Sequence, residues 1–317
     1  MIKYILKRLG MSLIVALLVI IFIALMPSLI PGDPIRTILG PRASEDLIQK
    51  LRAEMKIDEP VIVQVFDFTK GALQGDLGKD IISGTPVTKL VGQNLSHTLL
   101  LAFASLFLSF LFGIPLGIIS AVKPDGFVDR FISLLSVIFV TMPPFVCGLL
   151  LLLLFSVKLR LFPAIGAGEW NDIGSVISRL VLPSFTLALT WIGYLARLIR
   201  TSVLEIMTTN YIKTMVAFGV RDQIIYYKYA LKNAIIPTIS VVGNGLGSLL
   251  GGSLYVEVIF SRPGLGRMIY SAILDRNYPI VRGGILVVAL LFVLANLCAD
   301  ISYRFIDPRL RNGNEGF

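Results

Sequence analysis

The sequence predicts an all-α, polytopic membrane protein with six transmembrane helices and a long extracytoplasmic segment after the first. Three observations lead there. Mean hydropathy is +0.82 over 317 residues, and 55% of them are hydrophobic, beyond the range of an ordinary soluble domain. Several apolar runs reach roughly 20 residues, the length a helix needs to cross a hydrocarbon layer of about 30 Å. The runs do not alternate, as the roughly 10-residue strands of a membrane barrel do. Residues 1–317 therefore read as a single integral membrane domain.

The spans fall at about 9–30, 97–121, 132–156, 181–199, 235–258 and 281–303. The first, within "MIKYILKRLGMSLIVALLVIIFIALMPSLIPGD", reads as retained. Its apolar core exceeds a signal-peptide core, and no A-x-A-like site follows. Lys3, Lys7, Arg8, Lys123, Arg130, Arg197, Arg200, Lys213, Arg221, Lys228, Lys232, Arg304, Arg309 and Arg311 lie in the segments that become internal when both termini are cytoplasmic. That arrangement accounts for the +9 net charge, and no basic tract interleaved with aromatics points to nucleic acid.

Residues 31–96 form the extracytoplasmic helical segment. Ser44 suits a helix N-cap, Glu45 and Asp46 complement the first turn, and Leu47, Ile48, Leu51 and Met55 make a stripe. Pro60 opens a second helix, "LQGDLGKD" breaks it, and Thr85-Pro86 opens a third piece leading into the second span. These helices either lie on the membrane and cover the spans or form a docking surface for an external partner.

In the fifth span Gly243, Gly247 and Gly251 recur every four residues, with Gly245, Ser248 and Gly252 beside them, a face that lets helix backbones approach closely. Asn244 and Ser248 add polarity there and are the candidate translocation-pathway residues. Catalytic chemistry is missing from the sequence. His97 is the one histidine, Cys147 and Cys298 sit in apolar runs as packing residues, and no P-loop, H-E-x-x-H or G-x-S-x-G pattern occurs. Glu257, Arg282 and Asp300, the charges nearest membrane depth, lie at span ends, where snorkelling or pairing explains them as well as a proton relay does.

Residues 200–233, between the fourth and fifth spans, are too polar to cross. Asn210 is a candidate N-cap and Gly219 suits a left-handed C′ position. The helix between them would gather Ile212, Met215 and Val216 on one face, flanked by Tyr211 and Phe218. Asn210, Lys213, Thr214 and Ala217 would lie opposite. Such a helix suits either a partner's groove or the inner leaflet.

The stretch "NYIKTMVAFGVRDQIIYYKYALKNAIIPTI" resembles the EAA-type cytoplasmic loop of ABC import permeases, in the dipeptide/oligopeptide/nickel form. "PGDP" at Pro31–Pro34, "GDLG" at Gly75–Gly78, "LPS" at Leu182–Ser184, "ARLIRTS" at Ala196–Ser202, "FSRPGLG" at Phe260–Gly266, "YP" at Tyr278–Pro279 and "DPR" at Asp307–Arg309 follow the family's order. The Glu-Ala-Ala lead is not literal, since Lys213-Thr214-Met215 stands at that offset. Met215 and Phe218 occupy positions where that branch often has a small and a basic residue.

The resemblance implies a non-enzymatic permease of a bacterial or archaeal cytoplasmic membrane, moving peptides or a similarly small polar solute. It implies a second homologous permease, an extracytoplasmic substrate-binding protein, and two cytoplasmic ATPases that hold Mg-ATP. This chain would hold no cofactor, and membrane lipid would surround it. Glu205, Asn210, Tyr211, Lys213, Thr214, Met215, Ala217 and Gly219 would then form the ATPase-coupling site. An ion-coupled carrier or channel is the alternative; it would show buried charges and inverted repeats.

Overall fold

A computed structural model describes residues 2–29, 44–55 and 59–306. "PGDP" and "DPR" lie outside them. Twelve α-helices are described: α1 Ile2–Leu29, α2 Glu45–Met55, α3 Val61–Leu73, α4 Val87–Val122, α5 Phe127–Thr141, α6 Pro144–Leu151, α7 Ile173–Met207, α8 Asn210–Ala217, α9 Asp222–Ile224, α10 Leu231–Ile259, α11 Leu265–Leu274 and α12 Tyr278–Ile306. π-helical segments, Leu152–Lys158 and Ile225–Ala230, extend α6 and join α9 to α10. Among the described residues, α4, α7 and Tyr278–Ala299 of α12 are long and apolar enough to cross a membrane. The α5–α6 pair makes a fourth if it counts as one bent span.

That pair corrects the expectation of one continuous span over 132–156. α5 and α6 meet at 108°. Met142 is extended (ψ 125°) because it precedes a proline, and Pro143 is extended as well (ψ 135°) because it precedes another. Pro144 then starts α6, where a missing N–H costs nothing.

The chain divides into two compact units. The first holds residues 99–262 and the last helix from Leu294 onward. Its central helix is α7, which packs against α5, α6 and α10. One buried cluster contains Leu101, Leu182, Leu187, Leu249, Val256 and Phe260; a second joins Ile118, Ala121, Ile199, Val203, Ala230 and Ala234.

The helix contacts in this unit are set by small residues. A Cβ on Gly117 would lie 2.6 Å from the Ala196 carbonyl oxygen, and one on Gly113 2.9 Å from the Leu195 Cβ. So a small-xxx-small pair on α4 seats α7. On α10 the glycines that meet α7 are Gly245, against the Trp191 ring, and Gly252, against Leu187; Gly251 faces open space. Of the expected stripe, Gly251 is exposed while Gly247 is buried. Gly245 and Gly252 are seven apart, two helical turns, and bulky α7 side chains fill the room they leave.

The second unit holds residues 2–98 and 263–293. Ile20, Ile23, Leu77, Val87, Val91, Leu265, Ala272, Ile280, Val281 and Leu286 form its core. The 45–55 and 61–73 helices start as expected: the Ser44 carbonyl accepts from Ile48 N–H (3.1 Å), and Pro60 stands at the α3 N-cap. Gly75 and Gly78 then take positive φ (81° and 88°), which an L side chain resists, and break the chain after α3. A tight turn follows, in which Asp80 N–H donates to Thr85 O and Val87 N–H to Gly78 O, both 2.9 Å.

Candidate functional site

The loop between α7 and α10 rests on buried side chains. Ile225, Ala230 and Ala234 are completely buried, and Tyr226 packs on the Ile199–Val203 cluster. Burial, together with the nearby Asp222 charge, pushes the Tyr226 phenol above its ordinary pKa. Two residues separate α7 from α8, and α8 packs back on α7.

The start of α8 corrects the expected N-cap. Thr209, not Asn210, holds the cap: it is extended (φ −72°, ψ 150°) and its carbonyl accepts from Lys213 N–H at 3.1 Å. The Thr209 hydroxyl donates backward to Ile206 O (2.6 Å), tying the cap to the end of α7. Asn210 is therefore the first helical residue, and its carbonyl accepts from the Thr214 hydroxyl at 2.9 Å.

The far end closes at Gly219. Gly219 N–H donates to Val216 O (2.9 Å) and Val220 N–H to Met215 O (3.1 Å), the paired bonds of a Schellman motif, with φ +74° at the glycine. A helix of eight residues (Asn210–Ala217) is thus fastened at both ends.

Its faces divide differently from the expected set. Ile212 is fully buried and Met215 partly so, making an i, i+3 inner edge. Val216 (53% exposed) and Phe218 (84% exposed) face outward, as do Glu205, Asn210, Lys213, Thr214 and Ala217. So short a helix, packed chiefly on α7, buries one narrow edge. Tyr211 is half-exposed, and its hydroxyl accepts from Asn233 Nδ2 at 2.9 Å. Asn233, which the sequence reading did not single out, thereby ties α8 to α10. Ser248 is exposed on α10, and the Asn244 side chain lies outside the described residues.

A second constellation, unforeseen from the sequence, stands at the start of α5. Asp129 is 2% exposed and accepts from Arg200 twice, Nε to Oδ1 at 2.6 Å and Nη2 to Oδ2 at 2.7 Å. It also accepts from the Ser120 hydroxyl and from Asp125 N–H (2.8 Å). One carboxylate thus joins α4, the α4–α5 turn, α5 and α7, seven residues before α7 ends. Its signal is an acid pair, Asp125 and Asp129, among inner basic residues, but the 71-residue separation hides the partner.

Glu257 and Arg262 are also both fully buried and close enough for their charges to attract, although the Arg262 guanidinium makes no hydrogen bond among the described residues. Among the described residues, no cluster of three or more histidine, cysteine, aspartate or glutamate side chains is placed to hold a metal. Cys147 and Cys298 form no disulfide among the described residues.

Comparison with known proteins places this architecture. Residues 113–312 match the family described as binding-protein-dependent transport system inner membrane component, and residues 1–102 match its N-terminal family. A probable peptide ABC transporter permease protein, y4tP, of Sinorhizobium fredii is 36% identical over 309 residues, covering 97% of this chain and 99% of the relative. The glutathione transport system permease protein GsiC of Salmonella typhimurium is 36% identical over 311 residues, covering 98% and 99%. In fold, the chain is similar to the MetNI methionine ABC transporter in an inward-facing form. The TM-score is 0.57 at 21% identity, over 69% of this chain and 96% of that one. The chain belongs to the binding-protein-dependent transport system inner membrane components, the permease subunits of ABC importers.

Proposed function

We propose that this permease forms half of a translocation pathway for peptides or a similarly small polar solute, glutathione-like thiols included. A second homologous permease supplies the other half, an extracytoplasmic binding protein delivers the solute, and two cytoplasmic ATPases hydrolyse Mg-ATP. Six crossings, by α1, α4, the bent α5–α6 pair, α7, α10 and α12, keep both termini cytoplasmic and residues 31–96 outside. The lengths of these helices and the basic residues of the inner loops support that topology. Asn244 and Ser248 of α10 line the pathway in this reading.

The observation that carries the coupling role is the fastened α8 with an uncovered apolar tip. Val216 and Phe218 are large apolar side chains held in the open beside Tyr211, Lys213 and Thr214. A monomer gains nothing by exposing them, whereas a groove on an ATPase would bury them. The Ile212 and Tyr211–Asn233 ties carry a push on α8 into α7 and α10. ATP binding draws the two seated helices together, and the spans respond because α8 makes different contacts in the two states.

One observation weighs against the ion-coupled reading: the buried Asp129 carboxylate is held by two bonds from Arg200. The test is reconstitution in liposomes with the partner subunits. Tyr211→Ala/Met215→Ala and Val216→Ala/Phe218→Ala should hydrolyse ATP without uptake. Uptake at the wild-type rate by both double variants would remove the coupling assignment, and uptake indifferent to ATP would remove the importer reading.

A further inference from the structure

The second unit contains a cavity of about 590 Å³ between α3, the 76–84 turn and the first turns of α12. That volume is in the range of small-molecule sites, roughly 300–1,000 Å³. Its lining carries charges of both signs: Asp67, Asp76 and Asp80 on one hand, Lys79 and Arg282 on the other.

Arg282 is the anomaly. Its Nε is buried with no hydrogen-bond partner among the described residues, and its Nη2 reaches only the Gln64 Oε1, at 3.3 Å. Gln64 is itself 6% exposed, and its Nε2 donates to the Glu59 carbonyl at 2.9 Å. Asp76 and Asp80 of the same cavity bond elsewhere. Asp80 accepts from Ser83, Ile82 N–H and Asn277, and Asp76 from Gly78 N–H at 2.9 Å. Asp76 is thus anchored within the turn, and Asp80 both to the turn and to the residue before α12.

Buried guanidinium nitrogens left unpaired are costly, and planar carboxylates relieve that cost by accepting two parallel N–H bonds. Asp76 and Arg282 share the cavity without pairing with each other, which complements a ligand with opposite charges at its two ends. We propose that this cavity binds a zwitterionic short peptide, with its terminal carboxylate on Arg282 beside Gln64 and its ammonium toward the exposed Asp76. Resting on the reading of residues 31–96 as extracytoplasmic, it is a waiting site for solute on the outer side of the permease, separate from the pathway residues of α10.

The test uses the full-length chain in nanodiscs with neither ATP nor binding protein, measuring equilibrium binding of radiolabelled Ala-Ala. Competition by Ala-Ala amide and by N-acetyl-Ala-Ala identifies which terminus matters. A carboxylate held by charge-assisted bonds predicts binding about tenfold or more weaker for the amide, and a similar loss in Arg282→Gln. Arg282→Lys, which keeps the charge without the fork, should fall between. Asp76→Asn lies on the exposed rim and leaves the core alone. It should weaken Ala-Ala about threefold while leaving N-acetyl-Ala-Ala unchanged. No saturable Ala-Ala binding to the folded wild type, equal binding of the amide, or an indifferent Arg282→Gln would each overturn the proposal. Because the assay needs no ATPase, such a result leaves the importer reading intact, and failure of ATP-driven uptake leaves the binding result standing.

Discussion

Removing Arg200 should both destabilise the fold and disconnect its moving parts. Arg200→Ala strips two charge-assisted bonds from Asp129 and leaves a carboxylate that is 2% exposed. Breaking a buried pair from one side typically costs about 3–5 kcal/mol. The Arg200 side chain is 26% exposed, and Ser120 and Asp125 N–H still serve the carboxylate, so the loss should sit near the low end, about 3 kcal/mol. Arg200→Lys keeps the charge but not the fork, and should cost about 1–2 kcal/mol. Thermal melting of the detergent-solubilised complex reads stability, and liposome assays read ATP hydrolysed per solute imported. If Asp129 locks α4, α5 and α7 into one body, Arg200→Ala raises that ratio in the surviving folded fraction, with Arg200→Lys between it and wild type. A melting loss with an unchanged ratio would refute the locking argument and reduce the pair to packing.

Three further outcomes are expected. Gly117→Ala should cost about 1–3 kcal/mol, because its Cβ meets the Ala196 carbonyl oxygen at 2.6 Å; Gly251→Ala, facing open space, should be neutral or stabilising in the same melts. Gly219→Ala places an L residue at φ +74° with no steric neighbour, a backbone cost of about 1–2 kcal/mol, visible as faster hydrogen exchange across α8. Asp80 responds to pH: burial raises its pKa, but the bonds from Ser83, Ile82 and Asn277 outweigh that and hold it below its ordinary value. A carboxylate depressed by folding stabilises above its unfolded pKa, about 3.9, and that contribution fades as pH falls through the lower folded value. Rate-corrected exchange of the 79–86 turn should therefore speed up below about pH 4 in the wild type. Asp80→Asn should show no such step.

Local features were legible in the sequence to the extent that one residue type decides them. Gly219 ends α8 because the left-handed position excludes almost everything else, and Pro60 and Ser44 mark helix starts for equally local reasons. The N-cap was misplaced by one because Thr209 and Asn210 both favour caps, and packing of the α7 end chose Thr209. The GxxxG spacing on α4 is present in the sequence, as are the glycines of α10, and only packing distinguishes a glycine against Trp191 from one facing open space. Asp129 with Arg200, and Gln64 with Arg282, join positions 71 and 218 residues apart. No periodicity within one helix encodes such pairs.

The 108° corner between α5 and α6 meets the difficulty of bending a chain in an oil-like solvent. Any bend orphans N–H groups at the start of the next helix, and acyl chains offer them nothing. Pro143 and Pro144 have no N–H to orphan. The next donors are quickly spent: Val146 and Cys147 both reach the Pro143 carbonyl, at 3.0 and 3.2 Å. Phe145 is left as the first residue of α6 whose donor needs water or a neighbouring subunit. A double proline thus does more than stop a helix. It turns the chain while leaving few exposed dipoles, so replacing either proline with alanine would add a polar group where the bilayer tolerates it least.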